Sequence, residues 1–110
     1  MVEMVPLRVG AHQVIGITVD LPRTRLVVAA VPAGYIMCGA LDVALLNTRL
    51  RSRRVVAGRA LGVRTLADLL AKPLESVTEA AAELGLEPGM TGEQALEILA
   101  TAQVPDPQLG

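Results

Sequence analysis

Residues 34–47, Gly34-Tyr35-Ile36-Met37-Cys38-Gly39-Ala40-Leu41-Asp42-Val43-Ala44-Leu45-Leu46-Asn47, hold the only cysteine and the only aromatic ring of the chain. Just before them, Leu26-Val27-Val28-Ala29-Ala30-Val31 is apolar without alternation, as expected of a strand covered on both faces, and Pro32-Ala33-Gly34 closes it. From Ala40 the pattern predicts a helix to about Arg53, with first turns apolar nearly all round except at Asp42. Such an entry belongs to a deeply covered helix. Val55 to Leu61 then returns as a strand. Strand, helix and strand in this order match a βαβ crossover with parallel strands.

Upstream, Val2–Val9 contains Pro6 and reads as an edge strand, with a turn at Gly10-Ala11-His12. Between Gln13 and Leu21 the odd positions include Ile15, Ile17 and Val19 while the even ones include Gly16, Thr18 and Asp20. That period of two marks a strand with one buried face. Leu21-Pro22-Arg23-Thr24 makes the next turn, so the first strands should join the sheet antiparallel. Downstream, Thr65 can cap a short helix through Leu70; Ser76 with Glu79 has capping-box spacing, and Gly85-Leu86 fits a Schellman stop after Leu84. Thr91 with Gln94 opens a last helix to about Ala100, and Gln103–Gly110 reads as a loose tail. The expected fold is α+β: a mixed β-sheet with N-terminal antiparallel strands, a βαβ unit around a central helix, and a helical C-terminal third. It forms one domain over residues 1–102, followed by a flexible tail at 103–110.

The chain has 110 residues and is 52% apolar, yet it must build its interior almost wholly from aliphatic side chains, each covering little area. A thin core of this kind predicts a homo-oligomer that shares burial between copies. The net charge of −1 hides a split: residues 1–64 sum to +6 and residues 65–110 to −7. The halves should attract each other, and no continuous basic face is offered to a nucleic acid. The arginines at 49, 51, 53 and 54 lack interleaved aromatics, and the helix pair over 81–99, although spaced like a helix-turn-helix, is acidic where DNA would lie. A single cysteine forms no internal disulfide, no signal-like leader is read, and the sixteen uncharged residues from Leu26 to Leu41 are interrupted and too short for a membrane helix. A cytoplasmic protein without a membrane partner is expected.

Cys38 lies between an apolar strand and an expected helix start, where free N–H groups favour a thiolate; as an alternative it is a small residue fitting a tight turn. Asp42 is placed at about the third helical position, where the dipole favours a carboxylate; a role as acid, base or ligand partner beside Cys38 would call for Arg59 or Arg64. His12, the only histidine, sits in a turn, and no zinc set can be drawn from one chain. Gly34 and Gly39 frame six residues like a phosphate loop, but Ala40 and Leu41 stand where its lysine and hydroxyl residue belong, so nucleotide hydrolysis is rejected. Gly34, Tyr35, Cys38, Gly39, Asn47 and Arg59 are the candidate ligand-binding residues, Cys38 and Asp42 the catalytic candidates. No metal and no cofactor is expected.

The runs GYIMCGALDVALLN, VVAGRALGVRT, PLESVTEAAAELG and PGMTGEQAL closely resemble the YunC-like proteins of bacteria and archaea, a family classed as a domain of unknown function. The resemblance spans roughly Val2 to Leu99. It implies an α+β domain whose N-terminal β-rich region, about residues 2–31 here, serves tetramerisation. It carries no catalytic residue onto this chain. The expected function is a homo-oligomeric, non-catalytic protein binding a small-molecule ligand or a partner; the alternative is an enzyme or redox site centred on Cys38 with Asp42.

Overall fold

The computed structural model describes residues 1–102, so the tail expected at 103–110 lies outside the described residues. Six strands form one sheet in sequential order: β1 (Val2–Val9), β2 (His12–Leu21), β3 (Thr24–Val31), β4 (Gly34–Met37), β5 (Ala57–Arg59) and β6 (Ser76–Val77). Neighbours are antiparallel except β4 and β5, which run parallel, so the sheet is mixed. Four helices complete the fold, α1 (Val43–Asn47), α2 (Leu66–Ala71), α3 (Glu79–Glu83) and α4 (Gly92–Thr101), with a 3₁₀ turn at Arg51–Arg53. Among the described residues no helix is long and apolar enough to cross a membrane.

The parallel partner of β5 is β4, not the apolar β3. Pro32-Ala33 makes a two-residue turn, Val31 pairs with Gly34, and the chain runs back along β3 as a strand where a loop was expected. Gly34 makes this possible: a Cβ there would stand 2.5 Å from the Val56 carbonyl oxygen, which accepts the Tyr35 N–H at 3.2 Å. Its glycine therefore serves close backbone packing rather than a phosphate.

The central helix is much shorter than the pattern predicts. Asp42 is its N-cap, accepting the Leu45 N–H at 2.9 Å, so Asp42 precedes the helix instead of standing at its third position. At the other end the Thr48 hydroxyl bonds back to the Ala44 carbonyl at 2.8 Å and its backbone leaves the helical region, which stops α1 after five residues. The remaining arginines follow in turns, with Arg54 left-handed at φ 53°.

The C-terminal caps follow their residues. Thr65 accepts the Asp68 N–H at the start of α2, and Thr91 with Gln94 forms a reciprocal capping box on α4. Gly85 closes α3 at φ 109°, with Leu86 N–H donating to the Ala81 carbonyl at 3.1 Å, as a Schellman motif requires. The cap of α3 itself is Thr78, not Ser76, because Ser76 is taken up by β6 and its hydroxyl donates to Glu75.

α2 and α4 pack on one face of the sheet, and the main core lies between them: Val9, Val14, Val27, Ala29 and Ile36 from the strands meet Leu69, Leu96 and Leu99 from the helices. A second, smaller cluster of Leu41, Val43 and Ala57 lets α1 cover the other face only over β4 and β5. The charge split shows up as ion pairs: Arg51 reaches Glu79 at 2.9 Å, Arg54 binds Glu83, and Arg59 lies 3.6 Å from Glu75. Each joins the basic half to the acidic half.

Candidate functional site

The expected site residues are divided by the sheet. Cys38 directly follows β4, donates its N–H to the Val27 carbonyl at 3.1 Å, is 5% exposed, and belongs to the main core on the helix-covered side. Tyr35 points to the other side and packs on the Leu41, Val43 and Ala57 cluster. Arg59, in register with Met37, alternates to that same second face and pairs with Glu75. Gly39 is exposed in the following turn, and Asn47, at the end of α1, accepts the Glu79 N–H at 2.8 Å. Asn47 thus ties α1 to α3.

Asp42 is exposed, and its carboxylate is occupied as a helix cap. Arg59 and Arg64 do not serve it: Arg59 pairs with Glu75, and Arg64 lies beside β2 and β3. His12 opens β2 at the hairpin end opposite Cys38. Val27, the hydrogen-bond partner of Cys38, is paired with Thr18, six residues from His12, which is roughly 20 Å along a strand. A nucleophile needs access and a base; Cys38 is buried, and among the described residues the one histidine lies at the far end of β2. Among the described residues no group of three or more His, Cys, Asp or Glu is placed to hold a metal ion.

A buried polar centre was not anticipated. Thr78 is 2% exposed, and its hydroxyl donates to the Val55 carbonyl at 2.6 Å while accepting the N–H groups of Ala57 and Ala81 at 3.1 and 3.2 Å. One side chain therefore satisfies β5, its approach and the start of α3 together. The signal was present as a threonine immediately before Glu-Ala-Ala, but Ser76 offered a competing cap two residues earlier.

Among the described residues the second face of β1, β2 and β3 is left open. Register places Met4 opposite Ile17, Ile17 opposite Val28, and Ile15 opposite Ala30, so these side chains share one face. Val14, at the alternate positions, is fully buried under the helices, and Gly16 is small because Leu66 and Leu7 fill the space a side chain would take. Met4 is 66% exposed and Ile15 37%. Ile15, Ile17, Val19 and Val28 belong to neither hydrophobic cluster. The alternation in β2 was legible, but its more apolar side is the one that no helix among the described residues covers. β3 differs from expectation for the same reason: Val27 and Ala29 are buried, while Val28 and Ala30 lie on the open side.

At the hairpin end of this face Gln13, Ile15, Ala30, Val31 and Pro32 line a shallow depression of about 440 Å³. Three strands roughly 4.8 Å apart and about eight residues long give this face on the order of 400 Å² of sheet.

Residues 37–99 match the model of the domain of unknown function DUF1805. The chain is 53% identical over 96 residues to the uncharacterized protein YunC of Bacillus subtilis (strain 168), an alignment covering 87% of this chain and 95% of the relative. Its fold is similar to the crystal structure of a protein of unknown function from Thermoplasma acidophilum, with a TM-score of 0.80 and 25% identity over 90% of this chain and 93% of that one.

Proposed function

The chain belongs to the DUF1805 family of YunC-like proteins, and we propose that it is a non-catalytic, homo-oligomeric binding protein whose copies pack the open faces of β1–β3 against one another. The observation that carries this reading is the row Met4, Ile17 and Val28, an apolar cross-strand row that, among the described residues, belongs to neither hydrophobic cluster. A second copy is the occupant we favour: a two-fold contact sets the same patch on both sides, and the aliphatic row Met4, Ile17 and Val28 can pack on its own copy, with Arg8 and Gln13 at the hairpin end of the face.

The free edge of β1 is a poorer contact, since Pro6 lacks a donor and blunts edge pairing. A tetramer, the state the family resemblance implies, would add a second two-fold contact to this face. The burial of Cys38 and the capping role of Asp42 support a binding rather than a catalytic role, exercised in the cytoplasm, where a lone thiol stays reduced.

Ile17→Lys tests the reading. Sedimentation equilibrium is expected to show wild type as a multiple of the chain mass and Ile17→Lys as the single chain, with unchanged far-UV circular dichroism. A wild type that sediments as one chain at micromolar concentration would overturn it.

A further inference from the structure

Where β2 turns into β3, a pocket of about 450 Å³ opens beside the loop that leads into α2. Asp20, Arg23, Arg25 and Arg64 line it, with Leu21 and the buried Val63 as its apolar wall. The volume lies within the range of small-molecule sites, which join apolar walls to a few placed polar groups. We propose that this pocket binds a small organic phosphate monoester.

The charges decide the class. Asp20 answers Arg25, its Oδ1 lying 2.6 Å from Nε. Arg25 Nη1 also donates to the Arg64 carbonyl at 3.3 Å, and the Arg64 N–H donates to Asp68 Oδ2 at 3.3 Å, so the loop is pinned from β3 and from α2. Among the described residues neither Arg23 nor Arg64 has a carboxylate within ion-pair distance. Two guanidinium groups without a counter-charge match the charge of about −1.5 to −2 on a phosphate monoester at neutral pH. Their planar donor forks suit its oxygens. A single carboxylate would answer only one of them, and free phosphate would leave Leu21 and Val63 unused.

Arg23 adds an independent observation. With Pro22 before it, it occupies the turn at φ 60°, a position that favours glycine. Turn chemistry alone does not select arginine there, so its side chain needs a separate reason, and the pocket supplies one.

Isothermal titration of the full chain with phenyl phosphate, benzoate and inorganic phosphate tests the assignment. Phenyl phosphate is expected to bind one per chain and more tightly than the other two. Binding should weaken about tenfold or more in Arg23→Gly and in Arg64→Gln. Arg23→Gly should melt no lower than wild type, which separates lost binding from lost fold, and Arg53→Gln, outside the pocket, should bind as wild type. The proposal is overturned if phenyl phosphate does not bind at millimolar concentration. It is equally overturned if benzoate or inorganic phosphate binds as tightly, or if Arg53→Gln weakens binding as much as Arg64→Gln.

Discussion

The two faces of the N-terminal sheet obey opposite rules. Toward α2 and α4, β2 presents Val14, Gly16 and Thr18, and Leu66, Leu69 and Leu96 of the helices pack on that side. On the opposite face the same strand presents Ile15, Ile17 and Val19, and no element among the described residues covers them. A strand selected only to fold one chain would place its larger aliphatic residues inward. On the inner face β2 is small at Gly16, where Leu66 and Leu7 fill the space a side chain would take, and the apolar outer face is what the proposed association would use.

That comparison can be broken most sharply from the inside. Leu96 is fully buried between α4 and the sheet, and Leu96→Ala should cost about 3–5 kcal/mol in urea unfolding. The loss belongs to the chain's own core, so it should persist at every protein concentration. A second inner variant, Thr78→Val, keeps the shape of the side chain but leaves the Val55 carbonyl and the N–H groups of Ala57 and Ala81 without their partner. It should cost about 2–3 kcal/mol, also read in urea. A cost below ~0.5 kcal/mol would show that other groups or water replace the hydroxyl.

On the outer face Ile17→Ala should behave differently. Its effect should be about 1–2 kcal/mol per chain at concentrations where wild type is associated and should shrink on dilution as the wild-type oligomer dissociates, since association and folding are linked. A concentration-independent loss equal to that of Leu96→Ala would erase the distinction between the faces. Smallest of all, Arg54→Ala removes an exposed pair with Glu83 and should change stability by less than about 1 kcal/mol. Cys38, buried in the inner core, should resist alkylation by iodoacetamide in native protein and react on unfolding, as read by intact mass. Rapid native alkylation would return the thiol to consideration as a site.

Much of this fold was legible because local chemistry and tertiary packing agree. The Thr91–Gln94 box, the Thr65 cap and the Gly85 stop lie where residue types alone place them, since each depends on bonds within a few residues. The short β4 was not legible: Gly34 and Pro32 look like loop residues, and only the approach of Val56 shows why a glycine begins a strand. The central helix was overestimated because no glycine or proline interrupts the chain from Ala40 to Arg53; the back-bonding of Thr48 ends it instead. At the candidate site, Cys38, Tyr35 and Arg59 are close in sequence or expected pairing, but alternation about the sheet sends Cys38 to one face and the other two to the opposite one. Periodicity in β2 revealed two unlike faces; which of them the helices would take depends on Gly16 and Leu66 meeting across 50 residues of chain, and no local signal encodes that.

The contact between open faces is tested most directly by isotope-filtered NOE spectroscopy on a mixture of ¹³C-labelled and unlabelled chains refolded together. The account predicts intermolecular cross-peaks from the methyl groups of Ile15, Ile17 and Val28. Intermolecular peaks confined to other elements, or none at all in a sample at millimolar concentration, would contradict it.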